Sequence, residues 1–144
     1  MMETSDIINI FITRFDFLKE LGFTDMQIYT SDSYTVALVS KNNENGLKYS
    51  LGYCEHKKFN PIGSDSDMIF LILFNNKGKH IDFSRLFKKD GFYIENCWAQ
   101  YFMLKEDDLS PFLTKIIDVI KNNYIKLFTG DDWIEIDYNL RDDY

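Results

Sequence analysis

The sequence predicts a single α+β domain spanning residues 1–144, an antiparallel sheet of about five strands with amino-terminal and carboxy-terminal helices packed on it. Three observations lead there. Apolar residues recur at three- and four-residue steps at both ends of the chain, which is the period of an amphipathic helix. Between those ends the period falls to two, as a half-buried strand requires. The regular strand–helix alternation that builds a parallel sheet is missing.

The first helix is marked by Ile7, Ile8, Phe11, Ile12, Phe15, Leu18 and Leu21, with Ser5 as its expected cap and Gly22 as its stop. A short strand over Met26–Tyr29 follows. Tyr34, Val36 and Leu38 then alternate with Thr35 and Ala37, and Leu47, Tyr49, Leu51 and Tyr53 alternate beyond the turn-forming Asn42–Gly46 stretch. This pattern is a β-hairpin. The run Met68–Phe74 is apolar at every position from 68 to 74 and reads as a central strand covered on both faces. Phe83, Leu86 and Phe87 give a turn or two of helix before Gly91, and the aromatic-rich Phe92–Leu104 favours strand. The last helix is expected as one long element, capped by Ser110, with Pro111 in its first turn. Its buried stripe is Phe112, Leu113, Ile116, Ile117, Ile120, Tyr124, Leu127 and Phe128, and Gly130 ends it.

Composition narrows the classes of function. The chain has 144 residues, of which 45% are hydrophobic and 17% aromatic, enough for a packed core without staples. A net charge of −7 opposes free association with nucleic acid, whose phosphates demand a basic footprint. Cys54 and Cys97 form no C-x-x-C pair, so neither a zinc site nor a disulfide framework is expected. The start carries acids before its short apolar run, unlike a secretory signal, and no stretch approaches the roughly 18 to 20 apolar residues of a membrane helix. The cytoplasm is the expected location.

Chemistry-bearing patterns are sparse. His56 and His80 lack the spacing of a metal site, and no G-x-S-x-G elbow, P-loop or G-x-G-x-x-G occurs. Cys54 and His56 would share a strand face, yet nothing in the sequence supplies the activation a nucleophile needs. The expectation is a non-enzyme with no cofactor and no metal. Lys77, Lys79, Arg85, Lys88 and Lys89 form a minor basic cluster suited to solubility, with a phosphate or an acidic peptide as the rival use.

The acidic residues are distributed unevenly. Residues 1–48 hold four basic and seven acidic side chains, residues 49–89 seven and four, and residues 90–144 five and twelve. The last segment thus holds an excess equal to that of the whole chain. Within it, Glu106, Asp107 and Asp108 precede the long helix, where the helix dipole favours them. Asp131 and Asp132 follow that helix, where the dipole disfavours them by about 0.3 to 1 kcal/mol each. One explanation is a new helical turn with Asp132 and Glu135 as a capping box. The other is a surface for a basic partner, formed by Asp131, Asp132, Glu135, Asp137, Asp142 and Asp143 around Trp133 and Tyr138.

The segments FLKELGF at Phe17–Phe23 and LFTGDDW at Leu127–Trp133, with the chain's size and acidity, resemble small bacterial immunity proteins. These are single-domain proteins encoded beside polymorphic or contact-dependent toxins. The resemblance implies stoichiometric neutralisation of a cognate toxin in the cytoplasm, with no catalytic residues. On that reading the binding residues are Asp131, Asp132, Trp133, Glu135, Asp137 and Tyr138. A small-molecule or regulatory domain, with Tyr93, Trp98, Tyr101 and Phe102 lining a pocket, is the alternative.

Overall fold

The computed structural model describes residues 3–31, 34–57, 66–92, 97–98, 101–104 and 109–136, with backbone alone at 97–98. Helix α1 (Thr4–Arg14) is followed by a 3-10 turn (Asp16–Leu18), then by strands β1 (Phe23–Tyr29), β2 (Val36–Asn42), β3 (Lys48–Cys54), β4 (Asp67–Phe74) and β5 (His80–Asp82). Helix α2 (Phe83–Lys89), strands β6 (Cys97–Trp98) and β7 (Tyr101–Leu104), and helices α3 (Leu109–Asn123) and α4 (Ile125–Thr129) complete the order. The strands form one antiparallel sheet in the order β1-β2-β3-β4-β7-β6, with β5 pairing on β4. This is the expected α+β arrangement. Strand β4 is central, because β3 runs along one side while β7 and β5 share the other.

Period-two alternation sorts the side chains between the faces. Val36, Leu38, Tyr49, Leu51, Tyr53, Ile69, Leu71, Leu73 and Phe102 join the main core with Ile7, Phe11, Leu113, Ile116, Ile120, Phe83 and Phe87 from the helices. The four helices among the described residues therefore pack on one face. The centre of that core is aromatic: Phe83 stacks on Phe128 at 5.4 Å and Phe87 on Tyr124 at 5.8 Å, while Phe23 meets Phe128 edge-on at 5.9 Å.

The opposite face is built differently. Cys54, Met68, Tyr101 and Met103 form a small second cluster with Tyr34 and Phe70 against it. Ile72 and Phe74 on this face are only part-buried, so β4 is less evenly covered than its apolar sequence suggests. Here Phe70 lies directly over Gly52, and a Cβ on Gly52 would come within 1.9 Å of the Phe70 ring. Gly52→Ala is expected to destabilise the fold by about 1 to 3 kcal/mol through overpacking, as read from urea denaturation. At Gly78 nothing stands within 4 Å, so the same substitution brings no such clash there and is opposed only by the left-handed φ of 78°.

Two helices depart from expectation. The first ends at Arg14, because the chain tightens into the 3-10 turn that still buries Phe15 and Leu18; Ser5 lies inside the helix and Glu3 is the capping position. The last is not continuous. Tyr124, at φ −128°, separates α3 from α4; its ring stacks on Phe87, and its hydroxyl donates to Asp90. The bend turns Leu127 and Phe128 into the core. Ser110 is a helical residue and not a cap, and its hydroxyl oxygen accepts from the Arg14 guanidinium, with Nε at 3.0 Å.

Candidate functional site

The carboxy-terminal segment is held at its start by the helix that precedes it. Gly130 adopts φ 83°, the left-handed conformation that ends a helix, and the amides of Asp131 and Asp132 both donate to the Lys126 carbonyl, at 3.1 and 3.2 Å. The Thr129 hydroxyl stands 2.8 Å from Asp131 Oδ2, which offsets part of the unfavourable helix-end position of that carboxylate. The β2–β3 turn supports the same helix end. Asn45 Nδ2 donates to the Thr129 carbonyl at 3.4 Å, while the buried Asn42 accepts from the amides of Glu44 and Asn45 and donates to the Leu21 carbonyl at 2.9 Å.

Beyond Gly130 the segment divides its side chains. Trp133, Ile134 and Ile136 pack, part-buried, against the main core, whereas Asp131, Asp132 and Glu135 are exposed. No helix begins at Asp132: residues 132–136 are irregular, and Asp132 Oδ1 accepts from the next amide, that of Trp133, at 2.9 Å. The capping-box explanation of these acids fails for that reason. Glu135 stands 3.9 Å from Lys79, but both side chains are well exposed and the pair contributes little. The indole Nε1 of Trp133 is buried and has no hydrogen-bond partner among the described residues. Asp137, Tyr138, Asp142 and Asp143 lie outside the described residues.

A second polar group lies at the other end of the hairpin. His56 Nδ1 is 2.7 Å from Asp67 Oδ1, and both the His56 amide and the Tyr53 hydroxyl donate to the same carboxylate. An ionised carboxylate only accepts, so Nδ1 carries the ring proton. Burial works to raise the Asp67 carboxyl, but the bonds from Tyr53 and His56, with the imidazole charge, outweigh it and hold the group below the ordinary value. A carboxyl depressed by folding stabilises the fold above its unfolded pKa, and the contribution disappears as pH falls through the folded value. Acid unfolding is therefore expected to steepen below about pH 4, and Asp67→Asn to flatten that slope in thermal melts taken from pH 7 to pH 2.

This network was not legible in the sequence, since the pairing of β3 with β4 across a long polar loop is what brings Asp67 to His56. Cys54 does not join it. The thiol belongs to the second cluster, and burial, aided by the Asp67 charge, pushes it up to about 12, so it stays protonated. His80 lies on β5 with its ring 6.0 Å from that of Phe74. Among the described residues, no three His, Cys, Asp or Glu side chains converge as a metal site needs.

The basic cluster is partly committed. Arg85 Nε stands 3.8 Å from the buried Asp82 carboxylate, whose pKa burial raises against the opposing charges of His80 and Arg85, and Lys79 faces Glu135. The aromatic residues proposed to line a pocket separate: Phe102 is in the main core and Tyr101 in the cluster on the other face. Tyr93 and the Trp98 side chain lie outside the described residues. No helix among the described residues is long and apolar enough to cross a membrane. No protein-family model matches the chain, and no curated protein or solved structure matches it at a significant level.

Proposed function

We propose that the chain is a stoichiometric binding protein of the immunity type, which uses its acidic carboxy-terminal segment to occlude a basic toxin domain in the cytoplasm. The observation that supports this reading is the division of the segment: Trp133, Ile134 and Ile136 hold the backbone on the core while Asp131, Asp132 and Glu135 stay in solvent. Carboxylates on an anchored backbone lose little freedom on binding, which lowers the entropic penalty of association. Several of them together steer a cationic partner toward the face before contact. Asp137 and Tyr138 extend the same segment in sequence.

The reading needs no catalytic residue and no cofactor. A toxin with a cationic substrate groove is inhibited by occupancy alone. The test is to mix the purified chain with the toxin domain encoded beside its gene and to follow complex formation and toxin activity. The expected result is a one-to-one complex with activity lost in proportion to the chain added. Absence of a complex at micromolar concentrations of both proteins contradicts the reading.

A further inference from the structure

From the edge that strand β1 forms in the described sheet we infer that this chain pairs with a second copy of itself, strand β1 against strand β1 about a two-fold axis through Gln27. Among the described strands, β1 is bonded on one side only, to β2. Among the described residues the large hydrophobic side chains left exposed are Ile28 and Tyr29, each 44% exposed, and both are on this strand. Native edge strands are protected by lysine, proline, inward charges or bulges, and the one irregularity of β1 lies at its start, between Phe23 and Asp25. Phe23–Tyr29 has no Lys, Arg or Pro, and its one charge is Asp25.

The ladder determines which groups the edge offers. The Asn42 amide donates to the Leu47 carbonyl, so Asn42, Ser40 and Leu38 turn their backbone groups toward β3, and Lys41, Val39 and Ala37 turn theirs toward β1. Opposite those three residues lie Asp25, Gln27 and Tyr29. The N–H and C=O groups of Met26 and Ile28 therefore face away from the sheet.

The irregularity in β1 lies between Phe23 and Asp25, leaving Asp25–Tyr29 as the regular stretch with Gln27 at its midpoint. A two-fold axis there sets Met26 opposite Ile28 of the other copy, twice, and about four backbone hydrogen bonds form from the outward groups. The apolar side chains of Met26 and Ile28 meet across the axis on the helix-bearing face. Asp25 falls opposite Tyr29 of the other copy. The two Asp25 carboxylates are thereby about four residues, or roughly 13 Å, apart along the strand, beyond the screening length of about 8 Å at physiological salt. The register thus satisfies the edge without opposing like charges.

One short strand buries less than a standard interface of about 1,200 to 2,000 Å², so the dimer is expected to be weak and populated only at high protein concentration. The residues of this edge are not those of the acidic segment, and the inference does not depend on the function proposed for that segment. Sedimentation equilibrium of the full chain from about 1 μM to 1 mM should show a monomer–dimer transition. Ile28→Pro removes an outward N–H and no β1–β2 bond, and Ile28→Lys places a charge on the edge; each should weaken dimerisation at least about 10-fold with thermal unfolding unchanged. Gln27→Cys places two thiols about 4.5 Å apart by Cα at the axis and should cross-link under mild oxidation, whereas Thr24→Cys should not. A monomer at every concentration, even one that captures an unrelated strand peptide, overturns the inference. So does a dimer insensitive to both Ile28 substitutions.

Discussion

Phe128→Ala is expected to lower the stability of the fold by about 3 to 5 kcal/mol. The ring is fully buried, stacks on Phe83, and meets Phe23 and Tyr49 edge-on at 5.9 and 6.5 Å. It joins α4, α2, β1 and β3 at one point, so its removal leaves a cavity that no single element can collapse to fill. Urea denaturation of the variant reads the loss directly. Ile72→Ala is the useful contrast, because Ile72 is only part-buried on the other face, and its effect should be well under half as large. Equal losses at the two positions would show that the helix-bearing face is not the main core.

The second large effect is expected at Trp133. Its ring packs against the core, so Trp133→Ala should destabilise the free protein by about 2 to 3 kcal/mol, less than for a fully buried tryptophan. The same change should release residues 131–136 from the surface and raise their amide exchange. An interface anchor with no part in the fold would leave free-protein stability unchanged. Trp133→Phe, which keeps most of the apolar volume and drops the indole N–H that is unpaired among the described residues, should recover most of the stability.

Much of this fold is legible in the sequence for simple physical reasons. The hairpin of β2 and β3 follows from strict alternation around Asn42–Gly46, and β4 from an unbroken apolar run whose short length and β-branched, aromatic content suit a central strand. The stripe from Leu113 to Phe128 correctly identifies buried positions. It does not show the break at Tyr124, because the stacking of that ring on Phe87 and its bond to Asp90 are tertiary contacts that override local helix propensity. For the same reason the sequence overextends the first helix: Phe15 and Leu18 are buried as a helix would bury them, but from a tighter turn. Strand β5 is three residues long and is defined by its partner β4 and not by its own pattern.

The candidate site was legible in part. The acids Asp131, Asp132 and Glu135 stand out through their charge and their position after a helix, and composition alone places them at the surface. The anchoring of Trp133 and Ile136 beside them requires the packed core to be seen. Asp67 gave no sequence signal, since its partners Tyr53 and His56 reach it across a strand pair whose register the intervening loop does not determine.

On the proposed function, the exposed carboxylates of the carboxy-terminal segment serve association more than folding. The most direct test is the association rate of the chain with its cationic partner across ionic strength, for the wild type and for a variant with Asp131→Asn, Asp132→Asn, Glu135→Gln and Asp137→Asn combined. Association of the variant should be about 10-fold slower at low salt, and the two rates should converge near 1 M salt, where screening acts within about 3 Å. Melting temperatures of the two free proteins should agree closely. Equal association rates and equal salt responses at every ionic strength would contradict the assignment of this segment as the binding face.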